Sequence, residues 1–180
     1  MIILNLNIRG LGGAKARYLR NIIANDSMEV VCLQETKSVE FLDSICFSLW
    51  GNNEVGWIHN EGLRGAGSLL VMWHKQAFQY ESHVVGTGSI VILGLHTKSN
   101  LRCAVVSVYA AYNISNKESL WEGLTVLINS HLNWAWCLCG DFNAVRVEVK
   151  GKVHVKGGVR RKRSVASITL LKITIWWSCR

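Results

Sequence analysis

Residues 29–35, with the sequence EVVCLQE, form an apolar run that ends on polar side chains. This pattern is typical of a central strand that carries a side chain to the edge of a sheet. An earlier apolar run at residues 2–8 leads into the glycine-rich stretch 9–13, which predicts a buried strand followed by a loop. Between the two runs, residues 15–25 repeat apolar side chains at helical spacing. The chain is therefore predicted to begin with a strand, a helix and a second strand.

The alternation of strand and helix patterns continues downstream. Three runs rich in Val, Ile and Leu, at residues 68–73, 89–95 and 101–109, favour antiparallel hairpins. Residues 119–132 return to helical spacing, and residues 134–139 predict a further strand. Helices and strands mixed in this way imply a layered α/β sandwich.

Four of the predicted strands end on polar residues, namely Asn7, Glu35, Tyr109 and the pair Asp141 and Asn143. Such groups can converge where strand ends meet at one edge of a sheet. Asp141 and Asn143 stand two positions apart, so an extended backbone would point both side chains to the same face. The sequence therefore predicts a pocket in which a carboxylate lies beside an amide.

These residue types suit a magnesium ion and a phosphate. Mg²⁺ binds oxygen ligands, keeps several waters and needs only one or two carboxylates, such as Glu35 and Asp141. Asp141 could also orient or deprotonate an attacking water. The amides of Asn7 and Asn143 and the hydroxyl of Tyr109 can bind ligands or phosphate oxygens without adding negative charge. Taken singly, the same residues also have structural interpretations, as partners of loop backbone, as a helix cap or as a turn residue.

Four short motifs follow one another along residues 1–146. They are N-I-R-G-L-G at residues 7–12, L-Q-E-T-K at 33–37, V-Y-A at 108–110 and C-G-D-F-N-A-V at 139–145. In this order they resemble the endonuclease/exonuclease/phosphatase family, also called DNase I-like. The glycine-rich stretch at residues 65–70, followed by Trp73, is similar to a hairpin of the plant LINE-type retrotransposon branch of that family.

The resemblance implies a fold, an activity and a set of roles. It implies a four-layer α/β sandwich of the DNase I-like type, incomplete at the C-terminus, and cleavage of phosphodiester bonds. By motif position, Glu35, Asn7 and Asp141 are the implied metal ligands, with Asn7 and Asp141 also catalytic. Tyr109 is the implied phosphate contact, and Asn143 acts with Asp141 on water and phosphate. The implied ion is Mg²⁺, with Mn²⁺ as the alternative, and the implied substrate is DNA or another phosphodiester.

The resemblance stops near residue 146. The family's closing S-D-H segment and an earlier aspartate are not found, and the neighbours of His154 do not match that motif. The loss of a positioned acid/base group costs about 10²–10⁴-fold in rate. We therefore expect an endonuclease-like domain at residues 1–146 and a tail at 147–180, derived from a disrupted reading frame or a misjudged gene end. We expect weak or absent catalysis.

The net positive charge of the chain comes from the same tail. Residues 1–145 hold 10 Lys and Arg against 11 Asp and Glu, whereas residues 146–180 hold 10 against 1, giving the overall charge of +8. A basic tail can attract phosphate without a folded recognition surface. A weak nucleic-acid or nuclear-import patch, or simply a solvated charge run, is predicted for one cluster: Arg160, Arg161, Lys162 and Arg163.

Composition bounds the class of protein. A chain of 180 residues that is 49% hydrophobic suits one domain with a core. No apolar run reaches the roughly 18 residues that span a bilayer, and no secretory signal precedes the first strand. We expect an intracellular protein without a membrane partner, with the nucleus as an alternative location. The six cysteines lack a disulfide rhythm and are interpreted as free thiols, and the spacing of Cys137 and Cys139 does not fit a zinc site.

Two other functions stay open from the sequence alone. The chain could be a non-enzymatic remnant that binds nucleic acid only through its basic tail. It could instead be a phosphoesterase acting on small phosphate esters or phosphoinositides, as other branches of the family are. The oligomeric state is not predicted by any of these patterns.

Overall fold

The computed structural model describes residues 1–37, 41–62, 68–110, 114–143 and 168–172. The elements are β1 (Ile2–Asn7), α1 (Gly13–Asn25), β2 (Val30–Gln34), α2 (Asp43–Trp50), β3 (Val55–Asn60), β4 (Leu69–His74), β5 (Phe78–Gly86), β6 (Ser89–His96), β7 (Leu101–Tyr109), α3 (Ile114–Ser130), β8 (Ala135–Asp141) and β9 (Ile168–Lys172). None of the helices in these ranges is long and apolar enough to cross a membrane.

The first sheet has the strand order β3-β4-β2-β1-β9. Strands β1 and β2 are parallel, with Asn7 opposite Gln34, and α1 is the crossover between them. The other neighbours in this sheet are antiparallel. Strand β9 comes from the stretch predicted as a tail and pairs with β1, while the domain boundary at residue 146 stays a prediction. The parallel pair brings the carboxyl ends of β1 and β2 to one edge.

The second sheet has the strand order β5-β6-β7-β8. Strands β5, β6 and β7 form an antiparallel meander. Strands β7 and β8 are parallel, with Tyr109 opposite Asp141, and α3 is the crossover between them. This sheet therefore also has a pair of carboxyl ends that lie side by side.

The two sheets pack face to face, and helices cover their outer faces. The contact between the sheets is apolar and buried, as at Ile3, Val30, Cys32, Val105 and Cys137. Helices α1 and α2 cover the first sheet through side chains such as Leu19 and Cys46. Helix α3 covers the second sheet through Leu120 and Leu124. The order of helices, sheet, sheet and helix confirms the predicted four-layer α/β sandwich.

Several elements differ from the sequence prediction. The run at residues 68–73 forms β4, which pairs antiparallel with its chain neighbour β3 and also with β2, whereas the runs at 89–95 and 101–109 form the antiparallel pair β6 and β7. Strands β3 and β5 and helix α2 were not predicted. Strand β5 lies at an edge and exposes most of its side chains, so its sequence lacks an apolar run. Strand β3 contains Gly56, which the Trp73 ring covers so closely that a Cβ would lie 2.4 Å from it.

Candidate active site

The ends of three strands from both sheets meet at one point. Asn7 is the last residue of β1, Glu35 directly follows β2, and Asp141 is the last residue of β8. The Asn7 Nδ2 donates to Glu35 Oε1 at 2.9 Å and to Asp141 Oδ2 at 3.0 Å. The two carboxylate oxygens are therefore within about 6 Å of each other, the sum of those two lengths. The structure brings together the three residues that the sequence singled out as metal ligands.

The backbone at Glu35 has an uncommon conformation that its neighbours hold in place. Its φ is 54°, in the left-handed region, which costs a residue other than glycine about 1–3 kcal/mol. Gly10 donates its backbone N–H to the Glu35 carbonyl at 2.6 Å. The next residue, Thr36, is buried and bonds through its hydroxyl to Ser68 at 3.0 Å. These bonds turn the chain at the end of β2, where the Glu35 side chain meets Asn7.

Asp141 is positioned by a glycine that no other residue could replace without strain. Gly140 has a φ of +142°, and a Cβ there would lie 2.0 Å from the Val108 carbonyl oxygen. Because Gly140 permits this approach, β8 stays paired with β7 up to Asp141, whose carbonyl accepts from the Ala110 N–H at 2.9 Å. Tyr109, half-buried, is the register partner of Asp141 on β7. Tyr109, which was also predicted for the site, therefore lies on the strand next to Asp141.

Asn143 lies at the site in a conformation that the sequence did not predict. The backbone is not extended there, since Asn143 has a φ of 42°. Its backbone N–H donates to Asp141 Oδ1 at 3.1 Å, while its side-chain amide donates to the Ala110 carbonyl at 2.7 Å. Lys117 of α3 donates to the Asn143 carbonyl at 2.7 Å. Asn143 therefore contacts Asp141 through its backbone and not by a shared side-chain face.

The donor set of this cluster fits a hydrated divalent cation. Asn7 Nδ2 uses both its hydrogens on the carboxylates, and Asn7 Oδ1 is buried without a hydrogen-bond partner in the described part of the chain. No salt bridge between described residues neutralises Glu35 or Asp141. The same residues contain no group of three or more His, Cys, Asp or Glu that could hold a metal. Two carboxylates and one amide oxygen suit Mg²⁺, because Mg²⁺ keeps several of its waters.

A cleft with basic side chains is lined by residues that follow β1 and β2, though not by Asn7, Glu35 or Asp141 themselves, and it was not predicted from the sequence. Its volume is about 670 Å³, and its walls include Arg9, Lys15 and Lys37. Lys15 Nζ donates to the Ile8 and Arg9 carbonyls at 2.6 and 3.1 Å, which fixes its position near the end of β1. Cations at such a place can bind phosphate oxygens. The only sequence signal was the presence of three basic residues in two of the motifs or next to them.

Several predicted residues fall outside the described ranges. These are the glycine-rich stretch 65–67, His154 and the basic cluster Arg160, Arg161, Lys162 and Arg163. The predictions made for them stay predictions. Five cysteines within the described ranges are free and buried, which confirms the interpretation as thiols for Cys32, Cys46, Cys103, Cys137 and Cys139.

The sequence profile of the Endonuclease/Exonuclease/phosphatase family matches residues 4–167. The chain belongs to the endonuclease/exonuclease/phosphatase family. This confirms the resemblance at the level of the family, whose members include nucleases and phosphatases and generally depend on a divalent metal. The plant LINE-type branch stays a prediction. A comparison of the sequence with curated proteins found no match.

Solved structures of this family share the fold at low sequence identity. A humanized D. rerio TDP2 is 15% identical with a TM-score of 0.55, over 83% of this chain and 65% of that one. The human Nocturnin catalytic domain with bound sulfate is 15% identical with a TM-score of 0.60, over 80% and 65%. A mannosyl-6-phosphatase of Bacteroides thetaiotaomicron is 10% identical with a TM-score of 0.59, over 83% and 67%. The chain spans 65% of the length of the first two, and the likeness shows the DNase I-like fold alone.

Proposed function

We propose that this chain is a divalent-metal-dependent phosphodiesterase domain of the LINE-type retrotransposon endonuclease branch, with Mg²⁺ as its ion, DNA as its substrate and impaired catalysis. One observation carries the proposal. The Asn7 amide joins Glu35 and Asp141 from the two sheets and keeps a buried oxygen without a partner. In this arrangement the two carboxylates and the side-chain oxygen of Asn7, Oδ1, can bind a cation and its waters.

Some residues of the site would bind the ion, and others would contact the attacking water or the phosphate. Glu35, Asp141 and the Asn7 carbonyl oxygen would hold Mg²⁺, which supplies charge neutralisation at the phosphate and an acidified water when it is bound. Asp141, fixed by the Asn143 N–H, orients or deprotonates the attacking water. Tyr109 donates to a phosphate oxygen from the neighbouring strand. Asn143 contributes mainly by holding Asp141, because its own amide is bonded to Ala110.

Two observations favour a polyanion over a small phosphate ester as substrate. The cleft lined by residues that follow β1 and β2 carries Arg9, Lys15 and Lys37, which can bind a backbone with more than one phosphate. One of the structures with this fold is a D. rerio TDP2 complexed with a single-strand DNA product. The glycine-rich stretch at residues 65–70 and Trp73 support the retrotransposon branch.

Impaired catalysis is proposed because the part of the cluster that the structure describes contains no histidine. Among the described residues, no histidine forms a hydrogen bond with Asn7, Glu35 or Asp141. The sequence also lacks the S-D-H motif from which the resemblance would take an acid/base group. We expect a rate about 10²–10⁴-fold below that of a domain with the complete set of motifs.

Nicking of supercoiled plasmid tests this proposal. We expect slow nicking that requires Mg²⁺, is abolished by a chelator, and is lost in Glu35→Gln and Asp141→Asn but kept in Glu54→Gln, an exposed carboxylate outside the site. Nicking that persists in the chelator or in Glu35→Gln would overturn the metal site. Fast nicking would overturn the impairment. Faster hydrolysis of small phosphate esters than of DNA would replace the nuclease with a phosphatase.

A further inference from the structure

A buried polar layer adjoins the cluster of Asn7, Glu35 and Asp141 on the side of the protein interior. It consists of Asn5 on β1, Gln34 on β2 and Ser107 on β7, which are 7%, 0% and 0% exposed. All three lie on the inner faces of the sheets, where the surrounding contact is otherwise apolar. Polar side chains as buried as these destabilise a fold unless they are hydrogen-bonded, so their partners indicate their purpose.

Gln34 connects the other two members of the layer. Its Nε2 donates to Asn5 Oδ1 at 2.8 Å within the first sheet and to Ser107 Oγ at 3.2 Å across to the second sheet. These two bonds use both hydrogens of the amide, and a longer contact of 3.5 Å joins the same nitrogen to the Cys32 carbonyl oxygen. Its Oε1 is buried and without a partner in the described residues. Gln34 is therefore held by two acceptors, Asn5 on β1 of the first sheet and Ser107 on β7 of the second sheet.

Each member of this polar layer lies close in sequence to a predicted residue of the site. Asn5 stands two residues before Asn7, Ser107 stands two residues before Tyr109, and Gln34 directly precedes Glu35. Side chains two apart on a strand lie on one face, so Asn5 lies beneath Asn7 on β1 and Ser107 lies beneath Tyr109 on β7. Gln34 is the register partner of Asn7 on β2, so its bond to Ser107 crosses between the sheets directly beside the bond from Asn7 to Asp141.

We infer that Gln34, bonded to Asn5 and Ser107, is a positioning residue that sets the separation of the two sheets at the site and thereby holds the Asn7 amide between Glu35 and Asp141. Apolar contact between sheets is non-directional and fixes their distance loosely. A directional bond next to the cluster fixes it to within a hydrogen-bond length. The metal-related consequence of this inference rests on the proposed function, whereas the geometric one does not.

The side-chain amide of Asn7 reports this geometry without any metal. In a ¹⁵N-labelled protein its NH₂ signal is identified by its loss in Asn7→Ser. In Gln34→Leu we expect that signal to shift toward that of an exposed asparagine, and its exchange with water to accelerate by about 10-fold or more. Val105→Ala is the matched control, since Val105 is buried on the inner face of β7 two residues before Ser107 and outside the polar layer.

The outcomes separate positioning from general loss of stability. If Gln34→Leu and Val105→Ala lower the melting temperature alike and only Gln34→Leu moves the Asn7 signal, the inference holds. If the signal stays in place in Gln34→Leu, or moves equally in Val105→Ala, the inference is wrong. Ser107→Ala removes only the acceptor across the sheets and is judged by the same criterion should Gln34→Leu fail to fold.

A Mn²⁺ titration of the same variants then separates this inference from the proposed function. Removal of a residue that supports metal ligands typically weakens metal binding by 10–100-fold, so we expect about a 10-fold loss in Gln34→Leu and none in Val105→Ala. Equal binding by both variants would overturn the metal-related consequence. Absence of Mn²⁺ binding in the unmodified chain would overturn the proposed function, and the Asn7 signal would still decide whether Gln34 positions the amide.

Discussion

Asn7 and Asp141 are 134 positions apart in the chain, yet a 3.0 Å hydrogen bond joins their side chains and connects the two sheets at the site. The same Asn7 nitrogen holds Glu35 at 2.9 Å. One amide therefore keeps two carboxylates at a distance that a hydrated cation can bridge.

Replacement of Asn7 is expected to weaken metal binding more than it weakens the fold. In Asn7→Ala the two carboxylates lose their shared donor, and the site loses one oxygen ligand. We expect the dissociation constant for Mn²⁺ to rise by about 10–100-fold. Calorimetric titration measures it, with Asn21→Ala on the exposed side of α1 as control. Equal affinities in the two variants would show that Asn7 does not support the ion.

A pair of glycine substitutions tests how Asp141 is positioned. Gly140→Ala places a Cβ 2.0 Å from the Val108 carbonyl oxygen at a φ that alanine rarely adopts, so we expect unfolding to become easier by about 2–3 kcal/mol or more. Gly123→Ala, in α3, meets no atom within 4 Å and is expected to stabilise the protein by up to about 1 kcal/mol. Urea denaturation measures both. Effects of the same sign would contradict the account of β8.

Acid is expected to destabilise the fold through Glu29 and His96, far from the site. Burial acts to raise the pKa of Glu29, but the hydrogen bonds from Lys98 and from the Ile2 N–H outweigh it and lower that pKa below 4.5. Burial lowers the pKa of His96 below 6.5. Because both pKa values are lower in the folded chain, the unfolded chain binds more protons as the pH falls. Stability should therefore decline below about pH 6.5, and decline further below about pH 4.5.

A pH series of urea denaturation curves checks the sign and the residues. His96→Gln is expected to flatten the part of the curve just below pH 6.5. In Lys98→Met the decline below about pH 4.5 should become smaller, because Glu29 loses the bond from Lys98 at 2.7 Å and its pKa in the folded chain rises toward that in the unfolded chain. A stability that rises as the pH falls from 7 to 5 would show that the assignment is wrong.

The buried thiols are expected to be unreactive in the folded protein. Burial raises the pKa of Cys46 and of Cys137 to about 12 and that of Cys103 to about 11, so almost no thiolate is present near neutral pH. In a Cys179→Ser variant, a thiol reagent at pH 7.5 should react slowly with the native chain. After denaturant is added, the same reagent should label five thiols. Rapid native labelling would indicate that the packing between and around the sheets is looser than described.

Much of the fold could be predicted from local patterns. The runs that form β1, β2, β6, β7 and β8 are mostly apolar, and α1 repeats its apolar residues at helical spacing. Each of these elements can therefore be recognised from a few consecutive residues. Strand β5 could not be recognised, because an edge strand with exposed side chains needs no apolar pattern. Helix α2 has only 8 residues, too few for a helical period to stand out.

The sequence predicted that Asn7, Glu35 and Asp141 would converge, but it did not predict the hydrogen bonds between them. Polar residues at strand ends identified Asn7, Glu35 and Asp141, but nothing local encodes a bond between residues 134 positions apart. The extended backbone expected at Asn143 was wrong, because the Asp141 carboxylate accepts the Asn143 N–H and turns the chain there. Ser107 carried a usable signal, since it stands two residues before Tyr109 and must share its face.

Mn²⁺ binding, measured by water-proton relaxation, is the sharpest test of the metal site, because it needs neither turnover nor the right substrate. We expect one ion bound per unmodified chain, binding lost or at least about 10-fold weaker in Glu35→Gln and in Asp141→Asn, and binding unchanged in Glu54→Gln. Binding that is equal in all four proteins, or absent from the unmodified chain when it is folded, would contradict the claim that Asn7, Glu35 and Asp141 form a metal site.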